Sequence, residues 1–459
     1  MADGLTAAMD KMRADGASDV AIETFRHYYE RLASGETGTI GEDEIEPVGD
    51  LPTAEDLPEP EDADALQRAV MIRLNGGLGT SMGMTGPKSL VEAKDGLTFL
   101  DIIVRQVLGV RERHGVRLPL VLMNSFRTRE PTLAALERYP ELDVGLPLDF
   151  VQGRVPKIRA DDLTPVEWPA DPELEWTPPG HGDIYTSLMT SGMLATLLDQ
   201  GFEYALMANS DNLGAVLDPR VLAWFAREEL PFAMEVLRRS PADRKGGHIA
   251  RRQGGGLVLR ESAQVRDEDQ DAFQDVGRHR YFNTNNLWVN LRTLKRVLGD
   301  RGGVLGLPMI VNRKTVDPSD SSSPAVFQLE TAMGAAIDVF EGAAALLVGR
   351  PRFAPVKTTN DLLVLRSDAY ELDEDYAVEL AAARGGEPPF VDLDPDNYKL
   401  LPDFDRRFEN GAPSLVACDR LTVRGDVSFG RDVVIRGDVT IEHPGDGRLV
   451  IEDGTVLSG

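Results

Sequence analysis

Most of this chain alternates between two patterns of apolar residues. Apolar positions at helical spacing behind Ser18 predict a capped helix over 18–32. Short apolar runs that indicate buried strands lie at 70–74, 118–123, 204–208, 231–237 and 344–348. Between them, stretches such as 98–113 and 186–200 have a helical pattern. Strands alternating with helices predict an α/β domain with a mainly parallel sheet covered on both faces, where ligands bind beyond the carboxyl ends of the strands.

The C-terminal part of the chain has a period of six instead. Aliphatic or aromatic residues stand six apart in two interleaved series: Leu415, Leu421, Val427, Val433 and Val439, and Val423, Phe429, Ile435 and Ile441. Gly-Asp pairs mark the turns, and the pattern resumes at Leu449 after a four-residue insertion. This period predicts a parallel β-helix. An antiparallel meander is the alternative, because alternation alone does not fix how strands pair.

A strongly acidic segment separates the first helix from the sheet. No Lys or Arg occurs between Arg31 and Arg68, whereas Asp, Glu and Pro accumulate there. Such a segment cannot bury enough apolar surface to fold alone, so we expect an extended tether on the surface, with docking to another protein as the alternative. We therefore predict an N-terminal helical and acidic segment over 1–65, a central domain over 66–390 and a β-helix domain over 391–459.

Composition narrows the class of protein. The 459 residues carry a formal charge of −27, with 42% apolar and 27% charged residues, which is typical of a globular protein. The acidic balance argues against nucleic acid as a partner. A single cysteine, Cys418, excludes an internal disulfide and suits a reducing compartment. Because the chain has neither a signal peptide nor a long apolar run, we expect a cytoplasmic protein with no membrane partner.

A glycine-rich loop follows the strand at 70–74. Four of its nine residues, 75–83, are glycine, and Pro87 and Lys88 come shortly after. Glycines let backbone N–H groups approach an anion, and a fixed cation beside them suits charge on a transferring phosphoryl group. The spacing matches neither a Walker A loop nor GxGxxG.

The loop LNGGLGTSMG at 74–83, followed by GPKS at 86–89, resembles the signature of eukaryotic-type UTP–glucose-1-phosphate uridylyltransferases, also called UDP-glucose pyrophosphorylases. Further blocks similar to that family occur in the family's order: LMNSF at 122–126, PPGHGDIY at 178–185, NSDNLG at 209–214, KGG at 245–247, NTNNLW at 283–288, QLET at 328–331 and PVKTT at 355–359. The resemblance implies a Rossmann-like nucleotidyltransferase domain with a mixed, mainly parallel sheet and a C-terminal left-handed parallel β-helix.

The resemblance also implies the reaction. UTP and glucose 1-phosphate would give UDP-glucose and pyrophosphate by in-line attack of the sugar phosphate on the α-phosphorus. The nucleophile is already an anion, so catalysis would depend on positioning and electrostatics. Lys88 and Lys357 are the implied catalytic cations. Asp211 resembles the metal-contacting aspartate of related nucleotidyltransferases, and Mg²⁺ is the implied cofactor.

Substrate-binding residues are carried over from the same blocks. The resemblance implies that the nucleotide contacts the glycine-rich loop, the GHGD segment at 180–183 and the FxQ glutamine, whose amide can read the uracil edge. The sugar would meet neutral amides and one carboxylate. These predicted residues are Leu74, Asn75, Gly76, Gly77, Gly79, Thr80, Gln152, Gly180, His181, Asn209, Gly247, Asn283, Asn285 and Glu330. Two of them have structural alternatives: His181 could be a turn histidine, and the NTNN run could be a capped turn before a strand over 287–291.

The chain departs from the family at a few positions. Arg73 stands where the family often has Lys and Met84 where it often has Cys, and we expect neither to touch the reaction. His248 follows Gly247 beside the presumed sugar site, which leaves open another hexose 1-phosphate as the substrate. The family's usual C-terminal tail is also absent, so the oligomeric state is not carried over. A hexapeptide acyltransferase and a non-catalytic UDP-sugar-binding regulator are the remaining alternatives; a regulator would normally lack Lys88, Asp211 or Lys357.

Overall fold

The computed structural model describes residues 2–61, 63–240, 243, 246–445 and 447–459. Its helices are α1 (Ala2–Ala14), α2 (Asp19–Ala33), α3 (Asp64–Gln67), α4 (Phe99–His114), α5 (Phe126–Leu136), α6 (Ile184–Thr190), α7 (Met193–Asp199), α8 (Pro219–Arg227), α9 (Gln270–Gln274), α10 (Leu291–Asp300), α11 (Thr359–Arg366), α12 (Pro395–Tyr398) and α13 (Leu401–Arg407). The predicted helix over 18–32 corresponds to α2, where Ser18 accepts a hydrogen bond from the Ala21 N–H.

The strands fall into a large central sheet and several small ones. They are β1 (Ile45–Glu46), β2 (Ala69–Asn75), β3 (Glu92–Lys94), β4 (Leu97–Thr98), β5 (Leu120–Asn124), β6 (Asp149–Val151), β7 (Val155–Pro156), β8 (Ile158–Arg159), β9 (Trp176–Thr177), β10 (Tyr204–Asn209), β11 (Phe232–Arg238), β12 (His248–Arg252), β13 (Leu257–Arg260), β14 (Tyr281–Asn290), β15 (Met309–Thr315), β16 (Ala325–Thr331), β17 (Ala344–Leu347), β18 (Tyr370–Leu372), β19 (Val378–Leu380), β20 (Phe390–Leu393), β21 (Cys418–Arg424), β22 (Val427–Phe429), β23 (Val434–Glu442), β24 (Leu449–Ile451) and β25 (Val456–Ser458).

The central sheet is mixed and mainly parallel, as predicted. Its main order is β1-β12-β14-β10-β2-β5-β6, with β11 beside β14, β17 beside β11 and β13 beside β12. Strands β2, β5, β6, β10, β11, β12 and β17 run in one direction, and β1, β13 and β14 run in the other. The neighbours β10, β2, β5 and β6 are all parallel, so their carboxyl ends open onto one edge.

Both faces of this sheet are covered by helices. Met71 of β2 packs in one apolar layer with α4 and α8, whereas its neighbours Val70 and Ile72 pack in the opposite layer with α6, α7 and α10. Burial on two faces explains why these strands are continuous apolar runs in the sequence. The α/β fold class is therefore confirmed.

Two element predictions were wrong. The helical stretch over 186–200 is two helices, α6 and α7, because Gly192 takes a left-handed φ of 78° and breaks the helix between them. The strand expected over 287–291 is the longer β14, and Leu291 begins α10 instead. The NTNN run consequently lies inside a strand, and not in a turn that precedes one.

The C-terminal strands pair in parallel, so the antiparallel meander was wrong. Leu421 is in register with Val439, Val427 with Leu449 and Ile435 with Leu457. The first pair is 18 residues apart and the other two are 22 apart, which reflects the four-residue insertion. The inward residues of these strands join the same apolar layer as α4 and α11. The C-terminal strands therefore share a core with the central sheet.

The acidic segment lies on the surface but is firmly packed. Ile40, Ile45, Val48 and Ala54 are buried, and β1 adds an antiparallel edge strand to β12. Glu42 accepts hydrogen bonds from Arg260, at 2.6 Å, and from Arg278, at 2.6 Å. Widely spaced apolar residues among the acids anchor the segment, which composition alone did not indicate. No helix among the described residues is long and apolar enough to cross a bilayer.

Candidate active site

A cleft of about 350 Å³ opens at the carboxyl ends of β2 and β10. The loop after β2 forms one wall and the loop after β10 another, while Gln152 follows β6. The predicted residues that line this cleft are Leu74, Asn75, Gly76, Gly77, Lys88, Gln152, Gly180, His181, Asn209, Asp211 and Lys357. Six separate segments of the sequence are thus brought to one place, as expected for the edge of a parallel sheet.

The glycine-rich loop makes a tight turn after β2, and its glycines differ in how much space surrounds them. Gly79 takes a left-handed φ of 61°, and its carbonyl accepts the Met82 N–H before the chain turns toward Lys88. A Cβ at Gly76 would lie 2.6 Å from Gln152 Oε1, whereas a Cβ at Gly77 would meet nothing within 4 Å. Gly77 thus faces open space in the cleft. Gly79 and Thr80 do not line this cleft.

The side chain of Asn75 serves the protein itself. Its Nδ2 donates to Asn124 Oδ1 at 2.8 Å and to Thr132 Oγ1 at 3.0 Å, and all three residues are buried. These bonds fasten the end of β2 to β5 and α5. The Nδ2 group of Asn75 is therefore engaged within the protein, which narrows the substrate-binding role predicted for this residue to its other polar atoms.

Lys88 and Lys357 converge on a single carboxylate oxygen. Lys88 Nζ and Lys357 Nζ each lie 2.8 Å from Asp211 Oδ2, although the two lysines are far apart in sequence. Lys88 Nζ also donates to the Val356 carbonyl, and the Val356 N–H donates to the Asp211 carbonyl at 3.1 Å. The segment before Lys357 is therefore tied to both Lys88 and Asp211. Two ammonium groups and a carboxylate face the cleft together.

Asp211 is ionised and has a free oxygen. Burial opposes ionisation, but Lys357 and Lys88 outweigh it and hold the pKa of Asp211 below its ordinary value. Oδ1 of Asp211 is buried and has no hydrogen-bond partner in the described part of the chain. An orphaned carboxylate oxygen is a suitable ligand for a hard cation such as Mg²⁺. Among the described residues no cluster of three or more His, Cys, Asp or Glu could hold a metal, so the remaining ligands would come from phosphate and water.

The loop that carries Asp211 is fixed by buried side chains. Gln106 Nε2 of α4 donates to the Leu213 carbonyl at 3.0 Å, and Asn212 Nδ2 donates to Asn286 Oδ1 at 3.0 Å. Behind the loop, Glu235 is fully buried and accepts the Trp288 indole N–H at 2.9 Å and Arg352 Nε at 3.0 Å. These bonds join the loop after β10 to the segment that leads to Lys357.

His181 is less exposed than its glycine neighbours suggested. The Met333 N–H donates to His181 Nδ1 at 3.0 Å, so the neutral ring carries its proton on Nε2. Burial, with Lys357 as a second cause, lowers the pKa of His181 to about 4. The imidazole is therefore a neutral donor at physiological pH. The hydrogen bond from the Met333 N–H fixes the orientation of the imidazole. His181 is therefore bonded to the backbone, as the structural alternative stated, and still lines the cleft, as the substrate-binding prediction stated.

Gly180 fits against the strand that carries Glu330. The Thr331 N–H donates to the Pro179 carbonyl at 3.0 Å. Gly180 has φ of 81°, and a Cβ there would lie 2.5 Å from the Thr331 carbonyl oxygen and 3.0 Å from Glu330 Cβ. On the other side, Asp183 accepts the Gly153 N–H at 2.6 Å, which fixes the backbone next to Gln152. The turn at Gly180 thus connects the cleft to the residues predicted for the sugar.

The residues predicted for sugar selection form a second group beside the cleft. Asn283 Nδ2 donates to Asn285 Oδ1 at 2.9 Å, and the Asn283 N–H donates to the Gly247 carbonyl at 3.1 Å. Asn285 has φ of 60° inside β14, an unusual conformation that fixes its amide. Glu330 is partly buried on β16, and burial raises its pKa. Gly247, Asn283, Asn285 and Glu330 do not line the cleft described above.

Sequence reasoning missed Glu261 in this second group. A Cβ on Gly247 would lie 2.4 Å from Glu261 Oε2, so only glycine leaves room for that carboxylate. Burial raises the pKa of Glu261, and a hydrogen bond with Asn283 opposes the shift. Its LRESAQ context carries no spacing signal. Lys245 of the KGG block lies outside the described residues. The ring of His248 is fully buried and stacks on that of His279, with ring centroids 3.9 Å apart.

Comparison with known proteins gives a consistent picture. The family model described as UTP--glucose-1-phosphate uridylyltransferase matches residues 22–436. The uridylyltransferase of Hordeum vulgare is 41% identical over 99% of this chain and 95% of its own length, and that of Solanum tuberosum is 42% identical over 86% and 80%. A mutant of the Leishmania major UDP-glucose pyrophosphorylase, solved in complex with UDP-glucose, superimposes with a TM-score of 0.95 at 45% identity and covers 100% of this chain and 98% of its own. The Trypanosoma brucei UDP-glucose phosphorylase structure gives 0.92 at 46% identity, over 99% and 98%.

Proposed function

The chain belongs to the UTP–glucose-1-phosphate uridylyltransferase family, and from that premise we propose how its cleft performs the reaction. It is a nucleotidyltransferase that forms UDP-glucose and pyrophosphate from UTP and glucose 1-phosphate. The observation that carries the mechanism is the convergence of Lys88 Nζ and Lys357 Nζ on Asp211 Oδ2, each at 2.8 Å. A cleft with two ammonium groups and glycine N–H donors suits a polyanion.

The chemical step needs charge stabilisation more than proton transfer. A phosphate oxygen of glucose 1-phosphate attacks the α-phosphorus of UTP and forms a new P–O bond. The bond from the α-phosphorus to the oxygen that bridges to the β-phosphate breaks, and pyrophosphate leaves with that electron pair. No proton has to move, because the nucleophile and the leaving group are both anions. Lys88 and Lys357 therefore act by offsetting negative charge along this line of attack.

Mg²⁺ is the proposed cofactor. Asp211 Oδ1 is the side-chain oxygen available to hold it, since Oδ2 is engaged by both lysines. When bound, the ion would neutralise part of the charge on the triphosphate. The chain supplies one carboxylate for it, which agrees with the preference of Mg²⁺ for sites shared with phosphate and water.

The nucleotide and the sugar are assigned to the two neighbouring groups. We assign Gln152 and the backbone at Gly180 to the uracil, and Asn209 and the Nε2–H of neutral His181 to the phosphates. We assign Gly247, Asn283, Asn285 and Glu330, together with Glu261, to the glucose hydroxyls. The turn at Gly180 supports this division because it touches both the cleft and Glu330.

The finer architecture is also a proposal. Parallel pairs offset by 18 and 22 residues support a short left-handed β-helix over 391–459, after a nucleotidyltransferase domain over 66–390 and an N-terminal segment over 1–65. Cys418, the single cysteine, is buried and free, which supports a cytoplasmic, reducing location.

The activity is tested by incubating the protein with UTP, Mg²⁺ and a panel of sugar 1-phosphates and measuring pyrophosphate. We expect glucose 1-phosphate to give the highest kcat/KM, with galactose and N-acetylglucosamine 1-phosphates much lower. Pyrophosphate release with none of them would contradict the enzyme, and binding of UDP-glucose without turnover would instead support a regulator. A higher kcat/KM with another sugar would contradict only the assignment of glucose.

A further inference from the structure

Arg73 is a buried cation behind the loop that carries Asp211. It lies near the end of β2 with its side chain 0% exposed, between the apolar residues Ile72 and Leu74. Its guanidinium reaches the loop after β10, where Nη1 donates to the carbonyls of Asn209 at 3.1 Å and Asn212 at 3.0 Å. Nη2 donates to the Ala215 carbonyl at 2.7 Å. The first two carbonyls stand on either side of Asp211 in the sequence.

No carboxylate pairs with this guanidinium. The ion pairs among the described residues do not include Arg73, and its Nε is buried without a hydrogen-bond partner. The Asp211 carboxylate acts on Arg73 without pairing with it and partly opposes the fall in its pKa. A buried charge with no ion pair in contact is nevertheless costly and is rarely kept for stability alone. Burial, with the nearby Arg352 as a second cause, lowers the pKa of Arg73 to about 9, which leaves it cationic at neutral pH. The guanidinium instead donates its hydrogen bonds to three backbone carbonyls.

Asn209 is the last residue of β10, whereas Asn212 and Ala215 belong to a stretch with neither helix nor extended strand. The backbone at Asp211 is held by an isolated bridge between Asn212 and Pro355 and by the Val356 N–H, and not by an extended ladder of backbone bonds. A planar guanidinium holds several carbonyls in one geometry, because its N–H groups form a rigid fork. Arg73 therefore supports this loop by bonds that add to the single bridge between Asn212 and Pro355.

We propose that Arg73 is a positioning residue for uridylyl transfer: it clamps the backbone on both sides of Asp211 and so fixes the carboxylate that aligns Lys88 and Lys357. The inference rests on the function proposed for these three residues. It adds a role that the reaction scheme does not assign, because Arg73 touches neither the cleft nor a reacting atom. A purely structural role would lower stability and leave the turnover of each folded molecule unchanged.

The first test compares Arg73→Met with Arg73→Lys. We expect Arg73→Met to lower kcat about 50-fold while the KM for UTP stays within about threefold, because alignment matters most in the transition state. Arg73→Lys keeps a charged donor but loses the rigid fork, so its kcat should lie between those of the wild type and Arg73→Met. Calorimetric titration with UDP-glucose counts folded sites, so that kcat is expressed per competent site.

The matched control is Lys157→Met. Lys157 is also a buried cation that donates to a backbone carbonyl, that of Val316 at 2.8 Å, but it lies outside the cleft. Lys157→Met should lower the thermal midpoint and leave kcat per site unchanged. Arg73→Met with the same result as this control would overturn the proposal.

A double-mutant cycle with Asp211→Asn identifies the route of the effect. If Arg73 acts through Asp211, Arg73→Met should change kcat by less than about threefold once Asp211 is Asn. If the fold-decreases in kcat caused by Arg73→Met and Asp211→Asn multiply in the double variant, Arg73 does not act through Asp211, even if both single variants are slow. If Asp211→Asn alone keeps full activity, the function proposed for Asp211 fails, which is distinguishable from failure of Arg73 alone. Should Arg73→Met not fold, Arg73→Gln, which keeps one amide donor, enters the same cycle.

Discussion

At the scale of single residues, Asp211 Oδ2 is the oxygen that accepts hydrogen bonds from the ammonium groups of both Lys88 and Lys357. Without substrate it neutralises two ammonium groups that lie 2.8 Å away. A triphosphate that enters the cleft brings more acceptors than one carboxylate oxygen, so the ammonium groups gain partners without leaving their positions. The carboxylate therefore keeps the cations in place when no phosphate is bound.

Replacing either lysine should affect turnover more than binding. We expect Lys88→Ala to lower kcat at least about 100-fold, with a smaller rise in the KM for UTP, because its contact strengthens as charge moves in the transition state. Lys357→Ala should act in the same direction. Steady-state kinetics with UTP and glucose 1-phosphate measure both. Lys295→Ala, an exposed lysine on α10, is the control and should be neutral. Unchanged kcat in Lys88→Ala would reject its catalytic role.

His181 should make stability depend on pH in a defined window. Its folded pKa of about 4 lies below the ordinary value of 6.5, so the unfolded chain binds a proton that the folded chain does not. The contribution of His181 to stability is fully present above pH 6.5 and is lost as the pH falls from 6.5 to about 4, by at most about 1.4 kcal/mol per pH unit. Urea unfolding at several pH values compares the wild type with His181→Gln, and the advantage of the wild type should shrink as the pH falls. Parallel curves would contradict this.

Residues with a motif could be placed from sequence, and residues without one could not. Lys88, Asp211 and Lys357 stand in blocks similar to those of a known family, and the structure brings them together. Arg73 was expected not to touch the reaction, and it does not line the cleft. Its contact with the loop after β10 was not predicted, because no pattern tells which buried side chain faces a distant loop. Glu261 was missed for the same reason: its proximity to Gly247 arises from the pairing of β12 with β13.

At the scale of elements, the acidic segment is the part whose role changed most. It was expected to be a surface tether, yet it forms a sheet edge and inserts Glu42 between Arg260 and His279. Both of these partners are fully buried. Strands β2, β5 and β10 were predicted within a few residues because burial on two faces makes them continuous apolar runs. The break between α6 and α7 depends on one residue's φ, which periodicity does not reveal.

Removing the Glu42 carboxylate should destabilise the protein. Glu42→Ala would remove the carboxylate that contacts the buried side chains of Arg260 and His279. We therefore expect the free energy of unfolding to fall by about 3 kcal/mol. Chemical denaturation measures it. Asp50→Ala is the control from the same segment: Asp50 pairs with Arg280 but is 92% exposed, and its loss should cost less than about 0.5 kcal/mol. Equal effects of the two substitutions would contradict specific anchoring by Glu42.

At the scale of the whole molecule, one apolar layer runs from the central sheet into the C-terminal strands. Leu421 and Ile435 belong to the same cluster of buried residues as Phe99 and Leu122. A shared core implies cooperative unfolding, even though the two regions have different sequence periods. The period of six predicted the strands and their spacing. It could not predict that their inward faces continue a core that begins on another sheet.

A core substitution in the C-terminal strands should therefore destabilise the active site as well. We expect Leu421→Ala to lower the free energy of unfolding by about 3 kcal/mol. The fluorescence of the four tryptophans, which all precede residue 390, and circular dichroism should shift together on thermal unfolding. A fluorescence transition that stays at the wild-type temperature would show that the two regions unfold independently.

The glycine-rich loop and the Gly180 turn contain glycines that are needed for two different reasons. At Gly180 the polypeptide itself leaves no space for a methyl group, so any replacement would fail during folding. At Gly77 the free protein leaves open space, so a replacement there should fold normally and be rejected only by the incoming nucleotide. In a survey of random variants, substitutions at position 180 should lower both the amount of folded protein and the activity. Substitutions at position 77 should lower the activity and leave the amount of folded protein unchanged. The two positions would thus distinguish a glycine required for folding from one required for binding the nucleotide.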